Sequence, residues 1–353
     1  MGVLCQIHLA KPAGGVYKPG SAVNGVVKYT ITEDTHYKDI TVCLRGEGYC
    51  SWSEGTGDSK STFYGYEEYV NVANSLLENK TEDGVLVEAG VYDRPFRFEI
   101  PRNAPPSYND YDCTIVYFVK LTFEKKGLFK FAKIFRTEIP VANFVTATLP
   151  REPMVYGAHK TLISLSGKSH VNMKAIVKKS TLQPGETAEL DIEVANESGT
   201  KISAIETQLV QEVTYMSDCG NTYSHFVPVK RANHDTEPVK ERHTANLNSR
   251  IRIPEGHSSI QNSKVLMREY KLRVKAKLPF PYTNLILDIP VEIGDFELKQ
   301  DDDDMESKPR YNLELLCHDA PPSYWKVMQE DKEVEHKIKK YHMNGDVYQD
   351  LEL

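Results

Sequence analysis

No stretch of this chain approaches the roughly 18–20 consecutive apolar residues that a membrane-spanning helix requires. The longest apolar run, around residues 114–119, is only strand-sized. The opening residues, Met1-Gly2-Val3-Leu4-Cys5-Gln6-Ile7, lack the basic and long apolar regions of a secretory leader. Gln6 stands where N-myristoylation of Gly2 needs Ser or Thr. Cysteine is sparse: Cys5, Cys43, Cys50, Cys113, Cys219 and Cys317 form no C-x-x-C pair. Neither a metal site nor a disulfide framework is therefore expected, and the chain reads as cytosolic with reduced thiols. The histidines never fall at paired ligand spacing. A Gly-rich phosphate loop, a G-x-S-x-G elbow and an H-E-x-x-H helix are also missing. These absences argue against an enzyme, and no cofactor is expected. Nucleic-acid binding is excluded in the same way, by the lack of a motif and of a basic overall charge.

What the chain does have is an internal repeat. Pro19-Gly20, followed by Val23, Val27 and Tyr29, returns 165 residues later as Pro184-Gly185, followed by Ala188, Ile192 and Val194. The same offset carries Ile40, Leu44 and Glu47 onto Ile205, Leu209 and Glu212. Ile100-Pro101, Tyr117 and Leu121 return at 153, as Ile253-Pro254, Tyr270 and Val274. Glu138-Ile139-Pro140-Val141 returns at 150, as Asp288-Ile289-Pro290-Val291. A unit this long is a domain built twice, not a solenoid repeat of about 20–50 residues. A hydrophobic content of 40% is enough to fill two small cores.

Within each repeat the apolar residues alternate with period two, as in Phe96-x-Phe98-x-Ile100 and Leu190-x-Ile192-x-Val194. Turn residues such as Asp83-Gly84 fall between these runs, and helical periodicity is scarce before residue 300. The expected fold class is all-β, with two tandem immunoglobulin-like β-sandwiches. The expected limits are 1–148 and 157–296, joined by a hinge at 149–156 that carries Pro150 and Pro153. Residues 297–353 form the remainder. They hold 15 acidic and 8 basic side chains, while the preceding 296 residues hold 35 of each, so the net charge of −7 resides in this flexible acidic tail. A thin apolar stripe over 324–340 makes a weak amphipathic helix conceivable there.

Pro-Pro-Ser-Tyr occurs twice, at 105–108 and 321–324. Chance supplies only about 0.06 Pro-Pro-x-Tyr matches in a chain of this composition, so both copies need an explanation. Paired prolines pre-set polyproline II geometry, which fits the aromatic groove of a WW domain while the tyrosine fills a second pocket. Such a ligand has to be extended and accessible. Pro321, Pro322 and Tyr324 lie outside both repeats and are the WW-binding candidates. Pro105, Pro106 and Tyr108 sit between two strands and form the weaker second candidate.

Several segments together resemble the arrestin-domain-containing proteins, or α-arrestins. Val16-Tyr17-Lys18-Pro19-Gly20-Ser21 is similar to the opening strand-turn of arrestin domains, and Leu44-Arg45-Gly46-Glu47-Gly48 with Trp52 to the next hallmark. Leu182-Gln183-Pro184-Gly185-Glu186 and Val194-Ala195-Asn196-Glu197 resemble the start of the second arrestin domain. The tail copy of Pro-Pro-Ser-Tyr belongs to the same resemblance, which spans about residues 3–296 in order. It implies two arrestin β-sandwiches and a non-enzymatic trafficking adaptor. The implied partners are a WW-domain HECT-type ubiquitin ligase and the cytosolic regions of membrane receptors or transporters. The implied location is cytoplasmic, peripheral at the plasma membrane and endosomes. Trp325 stands where the family often carries an acidic residue.

Lys125, Lys126, Lys130 and Lys133, interleaved with phenylalanines, read either as an ordinary lysine-guarded sheet face or as a contact for acidic phospholipids or phosphorylated cargo. Tyr348 and Leu351 have the spacing of a tyrosine-based sorting signal. Two rival readings stay open: a sorting-coat scaffold resembling the arrestin-like subunit of retromer, and a cysteine-dependent regulator acting through Cys219 or Cys317.

Overall fold

The computed structural model describes residues 3–78, 84–125, 132–150, 152–165 and 167–296. They are almost entirely β, with a single 3-10 turn at Gly57–Ser59. The first half contains β1 (Val3–Leu9), β2 (Ala22–Ile31), β3 (Thr35–Glu54), β4 (Ser61–Ser75), β5 (Val85–Val87), β6 (Gly90–Glu99), β7 (Tyr108–Asn109), β8 (Cys113–Lys125) and β9 (Lys133–Ile139). One sheet has the order β1-β2-β6 and the other β4-β3-β8-β7, with β5 added to β3 and β9 to β8. The second half contains β10 (Met154–Ser164), β11 (Gly167–Val177), β12 (Thr181–Leu182), β13 (Thr187–Asn196), β14 (Ala204–Met216), β15 (Thr222–Asp235), β16 (His243–Arg252), β17 (Leu266–Lys277) and β18 (Leu285–Ile293). Its sheets run β10-β11-β13-β16 and β12-β18-β17-β14-β15.

Alternation decides which side chains meet. Val23, Val27, Tyr29 and Ile31 of β2 and Phe96 and Phe98 of β6 turn inward against Ile40, Val42 and Leu44 of β3 and Tyr117, Val119 and Leu121 of β8. The second core repeats the arrangement with Leu190, Ile192 and Val194 against Leu209, Tyr270, Leu272 and Val274. Full burial of each such side chain contributes roughly 1.5–3 kcal/mol.

The repeat is preserved down to strand register. Ala22 pairs with Glu99 and Thr187 with Arg252, while Leu44 pairs with Val119 and Leu209 with Leu272. The Pro-Gly turns repeat as well. The Gly20 N–H donates to the Ile100 carbonyl (2.9 Å) and the Gly185 N–H to the Ile253 carbonyl (2.9 Å). Both glycines sit at positive φ (77° and 84°), the third position of a type II turn, with proline at the second. The last block differs from the sequence alignment. Ile139 lies opposite Tyr117, but Val291, not Ile289, lies opposite Tyr270. The structural offset there is 152 residues, not 150. A two-residue slip keeps every side chain on its own face, so alternation alone could not distinguish the registers.

The connecting segment is held rather than loose. The Val145 N–H donates to the Asp295 carbonyl (3.0 Å), and Asn143 Nδ2 donates to Ser258 Oγ (2.6 Å). The buried Glu292 carboxylate accepts the N–H groups of Thr148 (3.0 Å) and Leu149 (3.2 Å) and the Thr148 hydroxyl. β10 starts at Met154, inside the stretch expected to be hinge.

Candidate functional site

The two Pro-Pro-Ser-Tyr copies separate at this point. Pro105 and Pro106 are both buried. The Pro105 carbonyl accepts the hydroxyl of the central Tyr117 (2.7 Å). Ser107 and Val141 exchange bonds: the Ser107 N–H donates to the Val141 carbonyl (3.1 Å), and the Val141 N–H donates to Ser107 Oγ (3.0 Å). Tyr108 starts the short β7 and is half-buried. Prolines packed in this way cannot present their rings to an aromatic groove. Pro321, Pro322, Tyr324, Tyr348, Leu351 and the 324–340 stripe lie outside the described residues, as does Cys317.

Tyr108 belongs to a constellation that the sequence did not reveal. Its hydroxyl donates to Asp110 Oδ2 (2.6 Å), and so does the hydroxyl of Tyr215 from β14 of the second sandwich (2.6 Å). Asp110 Oδ1 accepts the N–H groups of Asp112 (2.9 Å) and Cys113 (2.6 Å). The Arg268 guanidinium of β17 lies 5.5 Å from the Tyr108 ring centroid while its Nε donates to the Ser258 carbonyl (2.7 Å). Burial, reinforced by the adjacent Asp110 carboxylate, holds both tyrosine hydroxyls above the usual range.

Around this point the two sandwiches form a continuous interface. Val213, Tyr215, Ile260, Val265 and Leu266 pack into the first sandwich's core. Cys50 Sγ donates to the Met216 carbonyl (3.1 Å), and Tyr69 Oη and Ser263 Oγ share a hydrogen bond (2.8 Å). The Asp218 N–H donates to the Tyr64 carbonyl (2.9 Å), and Asp218 Oδ1 accepts the Tyr66 N–H (3.0 Å). Trp52, the tryptophan of the sequence hallmark, stacks on Phe63 (5.4 Å) and reaches Tyr223 of β15 (6.2 Å).

The basic hairpin is less open than its sequence suggests. Phe123 is a core residue, so the Lys–Phe interleaving on β8 reflects the two faces of a strand. Lys133 Nζ donates to the Val3 carbonyl (2.5 Å) and lies over the Phe135 ring, and Lys125 Nζ lies 5.8 Å from the Tyr37 ring centroid. Arg136 pairs with Glu138 (3.2 Å). Lys126 and Lys130 lie outside the described residues. Cys219 is exposed, whereas Cys43, Cys50 and Cys113 are buried thiols that burial pushes upward.

Two β-sandwiches joined end to end, each with a Pro-Gly turn and a buried central tyrosine, define an arrestin-type body. Family comparison agrees: "Arrestin (or S-antigen), N-terminal domain" matches residues 5–147, and "Arrestin (or S-antigen), C-terminal domain" matches 167–298. The chain belongs to the arrestin-domain-containing proteins, or α-arrestins. It is similar to arrestin domain-containing protein 5 of Homo sapiens, with 23% identity over 307 residues covering 83% of this chain and 88% of the relative. The Bos taurus protein of that name is 24% identical over 322 residues, covering 83% and 92%. Arrestin domain-containing protein 1 of Homo sapiens is 23% identical over 291 residues, covering 79% of this chain and 61% of the relative. Membership supports a trafficking or adaptor role in general, within a family of generally non-enzymatic scaffolds.

Proposed function

We propose that this protein is a non-enzymatic adaptor that links membrane cargo to a WW-domain HECT-type ubiquitin ligase, leading to cargo ubiquitylation and endocytic sorting. The carrying observation is that one of two identical motifs lies inside the described fold and the other beyond the arrestin match. The copy at 105–108 is consumed by the first sandwich, where Pro105 and Pro106 are buried. The copy at 321–324 lies beyond residue 298, where the arrestin match ends. In this reading Pro321 and Pro322 occupy the ligase's aromatic groove, and Tyr324 fills its neighbouring pocket. The arrestin body engages the cytosolic region of a receptor or transporter, with Lys125, Lys126, Lys130 and Lys133 facing acidic phospholipids. Tyr348 and Leu351 form a sorting signal, and the protein works in the cytoplasm at plasma-membrane and endosomal surfaces. Tethering ligase and cargo to one chain makes ubiquitin transfer effectively intramolecular. The test is cargo turnover in cells carrying Tyr324→Ala. The reading expects cargo ubiquitylation to fall sharply, and unchanged turnover would move the role toward a sorting scaffold that needs no ligase.

A further inference from the structure

We propose that the tyrosine-walled cavity at the end of β3 and β4 is a docking site for an arginine side chain of a partner polypeptide. The inference is independent of the ligase reading, since it makes no use of the tail. The cavity, of about 360 Å³, is walled by Tyr49, Tyr64, Tyr66 and Tyr111 and edged by Asp112 and Asp218. No Lys, Arg or His lines it. Tyr111 is 99% exposed and Tyr64 65% exposed, unusual for rings with no partner to cover them.

The walls are held in place by the sheet. Cross-strand register sets Tyr49 opposite Tyr66, with ring centroids 4.9 Å apart, and Ser51 opposite Tyr64. The Ser51 N–H donates to the Asp112 carbonyl (2.8 Å), which brings the 110–112 loop over the strand end. Asp218 reaches across from the second sandwich to receive the Tyr66 N–H (3.0 Å). Gly65 allows this approach, since a Cβ there would lie 2.3 Å from the Met216 carbonyl oxygen.

Four aromatic rings and two carboxylates favour a positively charged guest, since Arg45, which donates to the Tyr66 hydroxyl (3.2 Å), is not among the lining residues and is itself paired with Glu47 (2.7 Å). Burial, then the neighbouring Asp110, pushes the Asp112 carboxyl upward, while His225 pulls it partly back. A bound cation offsets both effects. Guanidinium fits better than ammonium, because it is planar, weakly hydrated, stacks on aromatic faces and forks onto a carboxylate. The same carboxylates disfavour phosphate and anionic membrane surfaces.

The full chain is titrated with a short, terminally blocked Gly/Ser peptide carrying one central arginine, followed by chemical-shift changes of the tyrosine rings. Versions with citrulline or lysine at that position serve as comparisons. Saturable binding of the arginine peptide is expected, with citrulline at least about ten-fold weaker and lysine intermediate. Tyr111→Ala and Asp112→Asn should each weaken binding by about 3–10-fold while the melting temperature stays at the wild-type value. Tyr324→Ala should bind like wild type, which separates this site from the ligase motif. Equal binding of the citrulline peptide, absence of saturable arginine binding, or wild-type affinity in both cavity variants overturns the proposal.

Discussion

A single carboxylate, Asp110, receives four donors from three parts of the chain: two local N–H groups, Tyr108 two residues back, and Tyr215 from the other sandwich. Hydrogen bonds to a charged group are worth about 1.5–3 kcal/mol each, and a buried donor left without its acceptor costs a further desolvation penalty. Asp110→Ala should therefore destabilise the protein by about 2–4 kcal/mol, against about 1–2 kcal/mol for Tyr108→Phe or Tyr215→Phe, measured by denaturant unfolding. The two phenylalanine changes should combine non-additively because they share one acceptor. Wild-type stability in Asp110→Ala would show that the interface is held by apolar packing alone. None of this was visible in sequence, where Asp110 and Tyr215 are 105 residues apart and only the fold brings them together. The density of tyrosine and aspartate over 108–112 was the one available signal, and it carries no partner information.

At the scale of elements, the repeat was readable because sheet pairing preserves both spacing and alternation. β2 and β13 span equivalent ten-residue stretches, as do β6 and β16, and each pair keeps the same register. The two Pro-Gly turns announce themselves because few residues other than glycine accept the required positive φ. Gly185→Ala tests this. At φ 84° an added Cβ is strained, and it would also lie 2.6 Å from the Glu255 carboxylate. A cost of about 1–2 kcal/mol is expected in thermal or denaturant unfolding of the variant. An unchanged transition would mean that the turn is not needed to start β13. The two-residue offset between β9 and its counterpart β18, and the start of β10 at Met154, have a common origin. Alternation reports which face a residue occupies, but not which partner it meets or which loop residues are bound. The Glu292 carboxylate fastening Thr148 and Leu149 is a long-range contact of that second kind.

Over the whole molecule, the arrestin body holds several buried and half-buried tyrosines. Burial is the leading cause that raises Tyr69, Tyr108, Tyr117 and Tyr215 well above their ordinary range. In the unfolded chain these hydroxyls ionise near pH 10, whereas the folded state keeps its protons to higher pH. The unfolded state then binds fewer protons than the native state, so stability is fully present below about pH 10 and declines as pH rises beyond it. Urea unfolding should give a flat stability between about pH 8 and 9.5 and a steep loss above, with tyrosinate absorbance appearing together with unfolding. Tyrosinate formation by all four residues in the folded state near pH 10 would contradict the packing described.

The proposed function assigns different roles to the two Pro-Pro-Ser-Tyr copies, one built into the first sandwich and one past residue 298, where the arrestin match ends. Titration of the full chain with an isolated WW domain of a HECT-type ligase, comparing wild type, Tyr108→Phe and Tyr324→Ala, tests that division most directly. A tyrosine filling its own pocket at so small an interface is a hot spot worth at least about 2 kcal/mol, or roughly 30-fold in affinity. Tyr324→Ala should therefore bind at least about 30-fold more weakly, while Tyr108→Phe binds like wild type and loses only stability. Equal affinity for all three proteins, or a loss confined to Tyr108→Phe, would contradict the account.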